Sequence, residues 1–473
     1  MIRFIAYLWL AATGWSRMLD EEGAYSEYEV KQVAVIEENI CLPQTQFSAS
    51  EYLLASDARL RRRPRPVLMT IGTQFGTRYP YSAEAIRRWR PFALGDELGS
   101  AVALDGSIMA AAAFADTRRH GFQVGAVYTY VSLDGGKKWV ETSKIVPSDS
   151  SRLMFFGHKV GVSGNELFAT TRTSNGGREL VGALYVFQTT DGGYTWTETQ
   201  KLVPSIGNGL FFGESLSVSQ DFVVVGAPMA SSRRNSVAGQ AFVFGKQGEE
   251  WVQIACLVPS DARKKSSFGW SVAVHGTTII VGAIEDSPDG VHNAGSAYVF
   301  KTEDGGTTWR EVQKLIAPDK QKGDWFGYSV AMGDGIVMIG MVNNHEPKKR
   351  EGVYVFCSDE NGFEWSLVQM LRPTDASRGQ GFGRSISLYR TTAVVGAVDD
   401  GYYSPGAAYV YSTCNNNCSA SWSETQKLVS PNPSINQQFG HSVAIQHNNL
   451  IIGALADGVP GNYWGAVFTF VDS

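Results

Sequence analysis

From about residue 96 onward, apolar residues fall in short runs, with Gly, Asp, Asn and Ser between them, and long helical patterns are few. Stretches such as Ser271-Val272-Ala273-Val274 alternate polar and apolar positions as a strand does. Ile279-Ile280-Val281-Gly282-Ala283 and Val394-Val395-Gly396-Ala397 are apolar runs ending in Gly-Ala. A third piece reads Gly-x-Ala-Tyr-Val-(Phe/Tyr), at residues 295–300 and 406–411. A fourth reads Trp-x-Glu-x-Gln-Lys-Leu with a proline beyond it, at residues 196–204 and 309–318. Four short runs bounded by turn residues predict a four-stranded antiparallel sheet.

The four pieces recur as one unit. Phe-Gly-x-Ser opens it at Phe212-Gly213, Phe268-Gly269, Phe326-Gly327, Phe382-Gly383 and Phe439-Gly440. Phe156-Gly157 has Lys159 where the serine would stand, and Leu98-Gly99 opens the first copy. The glycines are 58, 56, 56, 58, 56 and 57 residues apart. A period of this length predicts an all-β, seven-bladed β-propeller of four-stranded antiparallel blades over residues 81–473. The seventh unit lacks its outer strand. Residues 82–91 are expected to supply it, with Trp89-Arg90-Pro91 in register with Leu371-Arg372-Pro373, which hides both edges.

Composition sharpens this picture. Fifty-one glycines fit a fold made of turns, and a net charge of -5 gives no reason to seek nucleic acid. Residues 1–14 read either as a secretory signal or as an apolar strand or helix, and no later stretch is long enough to span a bilayer. Residues 15–80 show no periodicity and read as a poorly structured extension, with the basic run from Arg59 to Pro66 as a solvated linker or, since Arg59-Leu60-Arg61-Arg62 resembles a furin-type site, a processing site in a secreted precursor. Five cysteines make no framework; Cys414 and Cys418 are the one close pair and the candidate disulfide.

The Phe-Gly and Gly-Ala pairs resemble the FG-GAP repeat of the integrin α-subunit propeller and its relatives. The resemblance covers residues 82–470 and implies a propeller that binds rather than catalyses. Integrin blades hold calcium in D-x-D-x-D-G loops, but the matching turns here, such as His275-Gly276-Thr277, offer no set of carboxylates. Neither a metal nor a cofactor is expected. Ser132-x-Asp134-x-Gly136, Thr189-x-Asp191-x-Gly193 and Thr302-x-Asp304-x-Gly306, each followed by a tryptophan, resemble the Asp-box of sialidases. That motif implies a braced hairpin rather than catalysis. The recurring Glu141, Glu198, Glu311 and Glu424 read as solubilising edge charges.

In such blades the second-to-third and inter-blade connections share one face, where divergent loops carry binding. The residue after each Phe-Gly is expected at the channel mouth there: Ser100, His158, Glu214, Trp270, Tyr328, Arg384 and His441. Arg233, Arg234, Tyr463 and Trp464 complete the candidate set. Loop charges predict a two-signed rim, basic through Arg118, Arg119, Arg172, Arg178, Arg233 and Arg234, and mostly acidic through Glu285, Asp286, Asp289, Asp399, Asp400 and Asp457, interrupted by Lys348 to Arg350. No catalytic constellation is present. The expectation is a monomeric, non-enzymatic extracellular or cell-surface module that binds a protein or glycan. The alternatives are a sialidase-like glycoside hydrolase and an intracellular assembly scaffold.

Overall fold

The computed structural model describes strands at Tyr7–Leu8, Ser16–Leu19, Tyr25–Tyr28, Leu68–Met69 and Tyr81–Arg87. From residue 96 to 472 it describes all but 117–122, 174–180, 206–209, 232–237, 343–350, 377–378, 402, 414–419 and 460–461. Two units result, Met1–Leu42 and Pro43–Ser473. In the first, Tyr7–Leu8, Ser16–Leu19 and Tyr25–Tyr28 form a three-stranded antiparallel sheet. The second is the seven-bladed propeller.

The first six blades are meanders whose strands follow chain order. The fourth blade runs through Phe268–His275, Thr278–Ala283, Ser296–Lys301 and Arg310–Leu315. Middle strands such as Phe222–Ala227 and Ala126–Val131 are buried at every position, because both faces pack on neighbouring blades. Outer strands such as Thr197–Leu202 alternate exposed and half-buried positions. The core therefore lies between blades. Val224 and Val243 of the third blade, for example, pack with Val272, Ile279 and Val281 of the fourth.

The Phe-Gly pair works as two separate devices. Each phenylalanine is buried edge-on against the aromatics of its own third strand, as Phe268 is against Tyr298 and Phe300 at 5.6 and 6.0 Å. Each glycine has a positive φ, between 86° at Gly157 and 96° at Gly213, which L residues rarely adopt. Phe268 pairs with Ala283 and Ser271 with Gly282, so Gly269 and Trp270 bulge out of the ladder. The Trp270 amide donates to the Ser267 carbonyl at 3.2 Å, and the corresponding amides of Ser100, Glu214, Tyr328, Arg384 and His441 make the same turn. That bulge carries the residue after Phe-Gly off the sheet and toward the channel.

The ring closes through Tyr81–Arg87, antiparallel to Ala466–Asp472. Its register corrects the expected one. Ile86 faces Val467 as Leu371 faces Val353, so the strand sits three residues earlier than the Trp89-Arg90-Pro91 alignment required. The hydrophobic position sets the register and the proline does not, because an odd shift would turn every side chain to the wrong face. Leu68–Met69 adds a fifth strand outside Tyr81–Arg87.

The recurring glutamates also have another role than the one expected. Glu198 accepts from the Ser148 amide and hydroxyl at 2.7 and 2.9 Å; Glu311 does the same for Ser260 and Glu424 for Thr374. Each joins one blade's outer strand to the end of the preceding blade. Gln313 adds a reciprocal pair with the Trp365 backbone at 2.9 and 2.6 Å. Every such bond contributes about 1 kcal/mol.

In the hairpins, Asp191 accepts from the Thr195 hydroxyl and amide at 2.6 and 2.9 Å, and Asp304 does so from Thr308 at 2.6 and 2.8 Å. Gly193 and Gly306 take φ of 96° and 94°. These bonds hold both carboxyls down to about 2. A depressed folded pKa means stability that is complete above the unfolded value near 4 and is lost as pH falls toward 2. Between pH 5 and 2 the melting temperature of the wild type should therefore fall further than that of Asp304→Asn. Parallel curves would remove this role.

Candidate functional site

Six of the seven expected residues fall in two neighbouring groups, His158 with Glu214 and Trp270 with Tyr328 and Arg384, with His441 in electrostatic reach of both. His158 Nε2 lies 3.5 Å from Glu214 Oε1, and Arg172 Nε lies 3.7 Å from Glu214 Oε2. The His158 and Glu214 side chains are 14% and 13% exposed, the partial access expected of a channel lining. Neither distance closes as a hydrogen bond. His158 Nε2 and Glu214 Oε2 are both buried atoms without a hydrogen-bond partner. On the other side Trp270 meets Tyr328 at 5.8 Å, Trp325 stacks on Tyr328 at 6.4 Å, and the Arg384 guanidinium sits 5.7 Å over the Tyr328 ring.

His441 joins the two halves. Burial pushes its imidazole down to about 3, helped by the positive charges of Lys159 and Arg384. Burial also lowers His158, against the pull of Glu214, so both rings are neutral at pH 7. Glu214 is held below the ordinary carboxylate range although burial opposes this, by the adjacent His158 ring and by the positive charges of Lys159 and Arg172. The mouth thus sets the basic side chains Lys159, Arg172 and Arg384 against one carboxylate, and burial lowers Lys159 against the pull of Glu214.

Lys159 reaches this place through a paired exchange. In blades three to seven the serine after Phe-Gly-x donates to the carbonyl of the next blade's Phe-Gly glycine, as Ser271 does to Gly327 at 2.7 Å and Ser442 to Gly99 at 2.8 Å. The facing residue is glycine, since a Cβ on Gly282 would lie 2.3 Å from the Ser271 hydroxyl. Blade two reverses the pair. Thr170 stands in the glycine's place, its hydroxyl donates to the Gly213 carbonyl at 2.9 Å, and it accepts from the Lys159 amide at 3.0 Å. The structural hydroxyl now comes from the second strand, which frees position 159 for a lysine. Among the described residues its ammonium makes no hydrogen bond or ion pair. The sequence signal was a double departure, Lys159 together with Thr170, of which only the lysine was read.

The other expected residues have different places. Trp464 is half-buried, donates its amide to the Asp457 carbonyl and accepts from Leu98 at 2.9 Å, so its backbone seals blade seven to blade one. Tyr463 lies in the short strand Asn462–Tyr463. Arg233, Arg234, Arg118, Arg119, Arg178, the run from Lys348 to Arg350, Cys414 and Cys418 lie outside the described residues. Cys357 is disulfide-bonded and Cys256 is free.

The acidic arc of the rim is corrected at three of its six positions, while Asp289 is exposed and Glu285 and Asp399 are half-buried. Asp286, Asp400 and Asp457 are buried and partnered: Asp286 with Lys314 at 2.7 Å, Asp400 with Lys427 at 2.6 Å, Asp457 with Gln437 at 2.6 Å. Buried charges of this kind are kept by their partners, and the lysines beside Asp286 and Asp400 offset their charge. No helix of the described residues is long and apolar enough to cross a membrane.

Comparison with known proteins agrees with this architecture. The FG-GAP repeat family matches residues 196–244, 251–300, 309–356, 365–411 and 422–470, just over half of the chain. No curated protein matches it. Among solved structures, a periplasmic gluconolactonase of Pseudomonas aeruginosa is 14% identical over 71% of this chain and 86% of its own, with a TM-score of 0.46. Sqt1 of Saccharomyces cerevisiae is 11% identical over 78% and 82%, with 0.43. A putative 6-phosphogluconolactonase of Bacteroides uniformis is 12% identical over 74% and 92%, with 0.47. Likeness at this level carries nothing about chemistry.

Proposed function

We propose a function from one premise, that this chain belongs to the FG-GAP repeat family: it is a non-enzymatic, extracellular or cell-surface binding module, and its channel mouth takes a glycan or protein ligand. The observation that carries this reading is the meeting of Trp270, Tyr328, Arg384, His441, His158 and Glu214, from six blades, at one opening. Aromatic faces beside charged groups with unfilled hydrogen bonds suit a ligand that is part apolar and part polar. The rigid blades fix these groups before anything binds, which lowers the ordering cost. The disulfide at Cys357 favours an oxidising compartment.

A glycan array together with a panel of fluorogenic glycosides tests the reading. Binding without turnover is expected, with Trp270→Ala weakening it at least tenfold, as for a central aromatic anchor. Turnover abolished by Glu214→Gln would instead establish a glycoside hydrolase.

A further inference from the structure

Three basic side chains face one carboxylate at the mouth, and the excess is built in. Lys159 occupies a position that five other blades give to a structural serine, and the chain keeps it there by moving the hydroxyl to Thr170. Burial pulls the Lys159 ammonium below its usual range and Glu214 is the carboxylate that opposes this, so a further negative group beside it would restore the charge. Arg384 has no carboxylate partner among the described residues; its contact is the Tyr328 ring. Beside these basic groups, Glu214 Oε2 is a buried acceptor awaiting a donor, and Trp270 flanks the site as a half-buried aromatic. A ligand that completes this set carries a negative group for Lys159 and Arg384, hydroxyls for Glu214, and an apolar ring face for Trp270.

Resting on the binding-module reading above, we propose that the channel mouth is a site for a carboxylate-bearing saccharide, with its carboxylate between Lys159 and Arg384 and a hydroxyl donating to Glu214. Charge-assisted bonds from both cations supply most of the selectivity over a neutral sugar. The hydroxyl bond and the aromatic face supply the selectivity over a simple carboxylate. His158 and His441 sit inside the cluster and report on it.

Calorimetry and the imidazole proton signals of His158 and His441 are to be followed with three probes: glucuronate, glucose and acetate. Glucuronate should bind at least tenfold more tightly than either of the others and should shift both histidine signals. Lys159→Ser/Thr170→Gly restores the pair used in blades three to seven, so it should melt like the wild type yet lose at least tenfold in glucuronate affinity. Should that variant fail to fold, Arg384→Gln, which gives up no hydrogen bond, is expected to lose a similar factor. No binding of glucuronate overturns the site. Equal binding of glucose overturns the role of charge while leaving the module reading intact, and equal binding of acetate overturns the saccharide. A blank array together with no binding of free glucuronate overturns the broader glycan reading as well.

Discussion

A chain that begins at residue 89 should not form a stable monomer, whereas one that begins at Pro80 should. Tyr81–Arg87 makes seven register pairs with Ala466–Asp472, and without it the seventh blade ends on an open edge of seven residues. At about 1 kcal/mol for each backbone bond, the loss amounts to several kcal/mol. A propeller of this size has roughly 5–15 kcal/mol in all. The exposed strand is also a template for pairing with another copy, so aggregation should accompany the loss. Within the propeller's sheets, starting at Pro80 removes only the two pairs made by Leu68–Met69. Melting temperature and size-exclusion profile of the two truncations decide the matter. Equal behaviour would mean that the ring is held by its inter-blade bridge, Leu98 against Gly465, and not by the closing strand.

What the sequence made legible, and what it hid, follows from which contacts are local. The blades were legible because strand alternation and turn residues repeat with a fixed period, and the bulge after Phe-Gly makes the next residue's direction the same in every copy. That is why His158, Glu214, Trp270, Tyr328, Arg384 and His441 could be grouped in advance. Contacts between blades were hidden, since they join residues about fifty positions apart. Glu198 looked like an edge charge until Ser148 was seen to donate to it. Asp286 and Asp400 looked like loop charges, because nothing in their surroundings announces Lys314 and Lys427. The exchange at Lys159 and Thr170 joins residues eleven apart in the chain, yet its logic needs the Gly213 carbonyl of the next blade.

That exchange turns the glycine of Gly-Ala into a sharp test. Gly282→Ala should destabilise the protein by about 3 kcal/mol or more, at the upper end of overpacking. The new Cβ would lie 2.2 Å from the Gly327 carbonyl oxygen and 2.3 Å from the Ser271 hydroxyl, and the carbonyl belongs to the next blade's backbone. No left-handed φ is involved at Gly282, so the cost is steric alone. Gly305→Ala is the contrasting case. Its φ is +71° with nothing within 4 Å, so only the backbone penalty of about 1–2 kcal/mol applies. Blade one shows how the clash is relieved: Ala101 stands in the serine's position and Ala112 in the glycine's, with the Ala112 methyl 3.1 Å from a Cβ built on Gly157. Ser271→Ala/Gly282→Ala reproduces that pair, so it should recover part of the loss of Gly282→Ala even though it discards a hydrogen bond. Denaturant unfolding of the single and double variants gives the coupling directly. A double variant no more stable than Gly282→Ala alone would show that the next blade's carbonyl, not the hydroxyl, excludes a side chain here, and blade two would then hold Thr170 only by standing further from blade three.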